Sequence, residues 1–263
     1  MLGPVGPAKR NSAERRLPIL TYHSLDDCGS VLSTSPAAFA RHLQTLRESG
    51  ANVLSLRDGA ERLRRGDLPD RALVITFDDG FRTVLEHGLP LLSRHGFTAT
   101  VFVVSGYVGQ TNSWPSQPAY LHRQRLLDWP EIRQLAAAGI DIGAHSRTHP
   151  HLPGLSGAEI EAEIVESRKE IEDQIGERVD SFAYPYGEYD EAVLAIASAR
   201  LSVACSADLG FACSTSNPFA LERLDVYYLQ ASWAFRRLFS RPLRAYVALR
   251  RAARELRGRA VRS

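Results

Sequence analysis

Eight short apolar runs separated by amphipathic segments constrain this chain of 263 residues more than any other feature. The runs are Pro18–His23, Asn52–Leu56, Ala72–Phe77, Thr98–Val104, Gly139–Ile142, Val179–Ala183, Leu201–Ala204 and Phe219–Val226. They are too short for stable helices and carry many Val, Ile, Thr and aromatic residues, so they read as strands. Helical patterns lie between them. Ser35-Pro36 reads as an N-cap and first helical position, followed by Phe39, Leu43 and Leu46 on one face. Asp128 with Glu131, and Ser156 with Glu159, read as capping boxes. Ile160, Ile164, Ile171 and Ile175 recur near helical spacing, and Val84, Leu85, Leu91 and Leu92 fit a helix bent near Pro90. Such repeated alternation predicts an α/β chain, with a parallel sheet or barrel inside and helices outside. In these folds the reactive groups gather at the carboxyl ends of the strands.

Composition removes other classes. At 44% hydrophobic and 24% charged residues, the chain as a whole is not disordered. No run approaches the ~18 apolar residues of a membrane span. Residues 1–16 contain Gly3, Pro4, Gly6 and Pro7 but no apolar core of a secretory signal, so they read as a flexible leader and the expected location is cytoplasmic. Cys28, Cys205 and Cys213 form no Cys-x-x-Cys; they read as reduced, with a Cys205–Cys213 bridge as the alternative. The main irregular insertion is Gly106–Arg125, where Trp114 is a candidate to stack on a sugar or to pack at the surface.

Three constellations end strands. Thr76-Phe77-Asp78-Asp79-Gly80 places two carboxylates after a buried strand, where a turn eased by Gly80 brings both toward one pocket. Two close carboxylates do not both ionise cheaply without a compensating cation or donor. His145-Ser146-Arg147-Thr148-His149 spaces two imidazoles as on one helical turn, stopped by Pro150. Two imidazoles and one carboxylate form a three-ligand set that leaves a position open, the pattern of catalytic zinc. Phe182-Ala183-Tyr184-Pro185-Tyr186-Gly187 predicts a tight turn whose N–H groups can face an oxyanion. His151 does not fit the spacing and reads as loop surface.

In this order and spacing, the three motifs resemble the polysaccharide deacetylases, the NodB-homology domain of carbohydrate esterase family 4. The resemblance runs from about Leu17 to about Leu229 and implies a distorted parallel (β/α) barrel. It implies metal-dependent removal of N-acetyl groups from N-acetylhexosamine-containing glycans. By position, Asp79, His145 and His149 hold the metal, zinc or another divalent ion such as cobalt or nickel. Asp78 is the general base, and the Tyr186 backbone N–H helps stabilise the oxyanion. The chain departs from many members in carrying Ala183 where they have an arginine, and in having no histidine after His151. It resembles instead the poly-N-acetylglucosamine deacetylase branch, in which an early Tyr-His supplies the acid. Tyr22-His23 matches, making His23 the general acid. Arg223 is the candidate for the missing arginine beside Asp78, and Asp225 a candidate to orient His23. A hydrolase of a non-sugar amide and a catalytically silent glycan-binding protein are the competing readings. Intact Asp78, Asp79, His145 and His149 speak against the silent one.

The formal charge of +2 conceals segregation. Residues 232–263 hold ten arginines and one acid, Glu255, so this segment carries +9 and the remainder −7. The division expected is a leader to residue 16, a catalytic domain over 17–231 and a basic amphipathic tail over 232–263. The tail reads as a last barrel helix with a solvated basic end, or as a helix lying on an anionic membrane surface. The second reading suits a lipid-linked sugar substrate at the inner membrane face. Nothing in the motifs asks for nucleic acid.

Overall fold

The computed structural model describes residues 15–229 and 232–262. In chain order the strands are β1 (Arg16–Leu17), β2 (Ile19–Tyr22), β3 (Asn52–Leu54), β4 (Ala72–Phe77), β5 (Thr100–Val103), β6 (Asp141–Ala144), β7 (Ser181–Ala183), β8 (Val203–Leu209), β9 (Ala212–Cys213) and β10 (Leu221–Asp225). The helices are α1 (Pro36–Glu48), α2 (Leu56–Arg65), α3 (Leu89–His95), α4 (Trp129–Ala137), α5 (Gly157–Glu161), α6 (Ser167–Ile175), α7 (Glu191–Arg200), α8 (Ser232–Arg236) and α9 (Arg241–Arg262). Seven parallel strands close a ring in the order β2-β10-β8-β7-β6-β5-β4, completed by pairing of β4 with β2. β3 pairs only with the first half of β4.

The eight strands expected from the sequence all form, with ends that move for local reasons. Asn52–Leu56 stops at Leu54 because Ser55 turns to cap α2, accepting from Asp58 N–H. Gly139–Ile142 shifts to Asp141–Ala144 because Gly139 is left-handed, at φ 82°, after the end of α4. The run from Leu201 continues to Leu209 because β10 pairs along it. The short antiparallel ladder of β1 with β9, joining Arg16 to Cys213, was not expected from the sequence; two residues show no periodicity. Residues 1–14 of the leader lie outside the described residues. All three cysteines are free.

Strand parity sorts the side chains. Ile19, Val74, Phe102, Ala183, Cys205 and Leu221 form one buried cluster with Leu17 and Leu56. The alternate residues, among them Leu20, Ile75, Val101, Phe182 and Leu224, join the apolar faces of the helices in a larger one. Phe39, Leu43 and Leu46 of α1 belong to that larger cluster, as do Ile160, Ile164 and Ile171. Leu243 and Val247 of α9 also join it, so the first half of α9 packs as a last barrel helix. Leu249 and Leu256 face outward at 71% and 68% exposure. The side chains of Glu255, Arg257, Arg259 and Arg262 lie outside the described ones. Among the described residues no helix is long and apolar enough to cross a membrane.

Phe102 occupies the centre of the ring, and Gly143 on neighbouring β6 makes room for it. A Cβ at Gly143 falls 2.5 Å from the Phe102 ring and 2.7 Å from Ser181 Oγ. Gly143→Ala is expected to cost about 1–3 kcal/mol through overpacking, read as a lower denaturant midpoint at constant slope.

His42 on α1 stacks on Phe235 of α8 at 3.8 Å, and its Nδ1 lies 3.1 Å from Tyr22 Oη. Burial, aided by the charge of Arg41, pushes its pKa down to about 4. Between the ordinary histidine value and about 4 the unfolded chain therefore binds more protons than the folded one. Stability falls as pH drops through that window, by about 2–3 kcal/mol. His42→Phe, which keeps the stacking, is expected to flatten that part of the pH–stability curve.

Candidate active site

The candidate residues come together at the carboxyl ends of β2, β4, β6, β7 and β10. Asp78 follows β4 on the inward parity, two residues after Thr76. Asp79 adopts φ 70° and Gly80 φ 72°, and this left-handed turn directs the second carboxylate into the same pocket. Both aspartates are buried, at 4% and 5% exposure. That burial would neutralise them if nothing compensated it.

Arg223 compensates Asp78. It stands on β10 two residues after inward-facing Leu221, and β10 pairs with β2, which pairs with β4. Its Nη1 and Nη2 donate to the two Asp78 oxygens at 2.7 Å each. Nε donates to Ser206 O at 2.9 Å, and Nη1 also reaches Thr76 Oγ1 at 3.3 Å. Burial pushes the Asp78 carboxyl upward, but the charge and hydrogen bonds of Arg223 prevail and hold it below the ordinary range. His23 places Nε2 4.0 Å from Asp78 Oδ2. Asp225 lines the same pocket, and its Oδ1 accepts from Tyr227 N–H at 2.9 Å.

Asp79 Oδ1 lies 3.3 Å from His145 Nε2 and 3.4 Å from His149 Nε2. One donor atom from each of the three residues falls within 4.8 Å of the others, and all three side chains are buried. His145 Nδ1 is 2.7 Å from Ala183 O, which can only accept, so Nδ1 carries the proton. Neutral His145 then turns the Nε2 lone pair onto a carboxylate oxygen. That contact requires a positive charge between the two atoms, a second proton or a metal ion. His149 makes the same demand on the same oxygen, yet burial lowers its pKa and so disfavours the proton. Burial pushes Asp79 upward, but the interaction with His145 and His149 holds it well below the carboxylate range. Two imidazoles and an ionised carboxylate, buried and convergent, fit a divalent transition metal.

The sequence spacing predicts a helical turn between the two histidines; the structure has an irregular loop instead. Ser146 is left-handed at φ 64° and His149 at φ 57°, and Ser146 Oγ accepts from His149 N–H at 2.9 Å. Convergence therefore comes from loop geometry. Glu163 holds that loop outside, accepting from the N–H groups of Arg147 and Thr148 at 2.7 and 2.8 Å.

Tyr186 is left-handed at φ 59° in the turn after β7. Gly187 follows, and a Cβ there would lie 2.1 Å from Ala207 Cβ. The Tyr186 ring meets His149 edge-on at 4.7 Å and stacks on His151 at 4.3 Å. Its hydroxyl bonds to Ser116 Oγ at 2.8 Å, and Ser116 Oγ donates to His149 O at 2.7 Å. Trp114 is only 2% exposed and stacks on His149 at 4.3 Å. It is therefore neither an open sugar platform nor surface packing: it walls the donor set. The clamp formed by Ser116 and the Tyr186 ring gave no sequence signal beyond the irregularity of Gly106–Arg125. The pocket has a volume near 290 Å³ and adjoins a chamber near 560 Å³ that shares His23, Val31, Leu32 and Asp225 with it. Arg254 of α9 lines the pocket too, unforeseen because nothing in a basic tail marks which arginine turns inward.

Residues 65–201 match the family model described as polysaccharide deacetylase. The chain belongs to the polysaccharide deacetylase family. It is 26% identical over 213 residues to a Bacillus subtilis protein named for this family, YxkH, covering 80% of this chain and 71% of that one. It is 25% identical over 205 residues to a poly-beta-1,6-N-acetyl-D-glucosamine N-deacetylase of Staphylococcus aureus, covering 73% and 67%. Two solved structures share the deacetylase's fold. The Streptococcus pyogenes deacetylase PplD, in complex with acetate, superposes with a TM-score of 0.71 at 22% identity, over 80% of this chain and 92% of that one. IcaB from Ammonifex degensii gives 0.70 at 23% identity, over 84% and 97%.

Removing one partner of the Asp78–Arg223 pair leaves a buried charge uncompensated. Arg223→Met is expected to cost about 3–5 kcal/mol in chemical denaturation, and Asp78→Leu combined with Arg223→Met less than that.

Proposed function

We propose that this metal-dependent deacetylase acts on N-acetylhexosamine units of a glycan chemically akin to poly-β-1,6-N-acetylglucosamine, with Asp78 as base and His23 as acid. One observation carries the reading. An ionised carboxylate, locked by Arg223, stands directly beside the Asp79–His145–His149 donor set with an imidazole 4.0 Å from its oxygen. Asp79, His145 and His149 would hold the metal, for which we propose zinc, with cobalt or nickel as substitutes. When bound, such an ion supplies Lewis acidity, lowering the pKa of water and polarising a carbonyl.

The chain's own residues supply the proton chemistry. Asp78, not needed as a ligand, takes a proton from the attacking water. Arg223 fixes both Asp78 oxygens, so the base meets the water in one orientation. His23 is 21% exposed and stands at the opening to the larger chamber, placed to protonate the departing nitrogen. The Tyr186 N–H, presented by its left-handed turn, donates to the developing oxyanion. Trp114 and the Tyr186 ring keep water from the outer side of His149.

Purified protein is expected to hold about one zinc-type ion per chain, and chelation to stop acetate release from poly-N-acetylglucosamine. Metal-free protein that still hydrolyses the amide would reject the assignment. Asp78→Asn is expected to lower turnover by about 10²–10⁴-fold while retaining metal. Metal loss in that variant would make Asp78 a ligand. His23→Ala should slow amide hydrolysis far more than hydrolysis of an activated ester, whose leaving group needs no proton.

A lipid-linked substrate and a peripheral position on the cytoplasmic membrane face are further proposals. Outward Leu249 and Leu256 on the basic helix support them. Sedimentation with anionic liposomes, with and without residues after Ser232, tests the position; equal binding rejects it.

A further inference from the structure

α9 carries charge into the catalytic pocket. Its buried stripe begins with Leu243 and Val247, which fixes the rotation of the helix on the barrel. Continuing that face by three, four and seven residues from Val247 reaches Arg250, Arg251 and Arg254. All three are exposed, and of them Arg254 lines the catalytic pocket.

The three arginines have different surroundings. Arg251 lies 3.7 Å from Glu222. Arg250 donates from Nε to Tyr246 Oη at 3.0 Å, and its guanidinium sits 5.6 Å from the Tyr228 ring centre. The Arg254 guanidinium also sits 5.6 Å from that ring and reaches Ala207 O at 3.4 Å. Among the described residues, neither Arg250 nor Arg254 has a carboxylate within ion-pair distance. Two like charges one helical turn apart, gathered on one ring, are mildly unfavourable by themselves. Arg254 lines the cavity that holds Asp78, Asp79, His145 and His149. Asp78 is paired with Arg223, and Asp79 faces His145 and His149, with which it would hold a metal. Asp225, the remaining carboxylate in the cavity, is outside ion-pair distance of Arg254.

We infer that Arg254 is a specificity-determining residue that pairs with a phosphate ester carried by the substrate beside the reacting N-acetylhexosamine. A guanidinium beside an aromatic ring, with only one long hydrogen bond of its own among the described residues, to Ala207 O, has further N–H groups to offer an oxyanion. Arg250 on the same ring favours phosphate over carboxylate, because phosphate oxygens accept from several directions and a carboxylate accepts in one plane. The inference rests on the deacetylase reading and narrows its substrate class.

The test measures kcat/KM for acetate release by the full-length, metal-loaded enzyme on three substrates. These are methyl N-acetylglucosaminide, N-acetylglucosamine 1-phosphate and the geranyl diester of that phosphate. The wild type is expected to prefer the phosphates at least about tenfold, chiefly through KM. Arg254→Ala should reduce that preference to within about twofold, and Arg254→Lys, which keeps the charge without the fork, should retain part of it. Equal use of neutral and phosphorylated substrates by the wild type, or a preference surviving in Arg254→Ala, overturns the inference while leaving the deacetylase reading intact. Preference for the geranyl diester over the simple phosphate assigns the phosphate to a lipid-linked sugar; equal use assigns it to a soluble or polymeric one. Calorimetric binding of glucosamine 1-phosphate, which requires no turnover, is read in parallel. Failure of acetate release on all three substrates and on poly-N-acetylglucosamine rejects the deacetylase reading. Equal glucosamine 1-phosphate affinity in wild type and Arg254→Ala then rejects this one separately.

Discussion

Two adjacent carboxylates buried at the end of one strand are the constraint around which the rest of the structure is arranged. An isolated buried carboxylate neutralises or moves into water. Asp78 and Asp79 do neither, because each has its own compensation from a different part of the ring. Asp78 is answered by a guanidinium from β10 with both oxygens paired. Asp79 is answered by two imidazoles from the end of β6. The two carboxylates thus have different surroundings: Asp78 has both oxygens paired with one guanidinium, and Asp79 faces two imidazole nitrogens in a set that could hold a cation.

The backbone accepts strain to achieve this. Among the described non-glycine residues with positive φ, Asp79, Ser146, His149 and Tyr186 all lie at this end of the barrel. Left-handed conformations in non-glycine residues cost energy and persist where surrounding contacts over-determine them. Here those contacts are visible: Ser146 Oγ holds His149 N–H, Glu163 holds two N–H groups of the same loop, and Ser116 ties His149 O to Tyr186. The insertion containing Trp114 is thus part of the scaffold of the donor set.

Much of this was legible in the sequence because strand parity is a local property. Once Leu221 is known to point inward, Arg223 must do so as well, and its meeting with Asp78 needs only the ring order. His23 falls near Asp78 for the same reason, since β2 pairs with β4 in register from Ile19 to Tyr22. What local pattern does not contain is how loops and the last helix lie on the ring. The four-residue histidine spacing suits a helical turn and a left-handed loop equally well. The place of Trp114 depends on contacts with residues far along the chain. The place of exposed Arg254 beside the pocket follows from how the burial of Leu243 and Val247 seats α9, and a basic amphipathic helix reads the same whether it faces a membrane or a pocket.

Closing the ring through β2 and β10 has a consequence for synthesis of the protein. A growing chain holds all three metal donors as soon as His149 has been made. Asp78 then waits for Arg223, which follows it by 145 residues. Until β10 emerges, β2 and β8 lack the strand that joins them, and Asp78 lacks the partner that makes its burial tolerable. Asp79, His145 and His149 thus all precede in the chain the guanidinium that completes the buried pair of Asp78. A chain that ends before β10 therefore has an open ring and an uncompensated Asp78, so the buried ion pair closes only as the last strand of the ring joins β2 and β8.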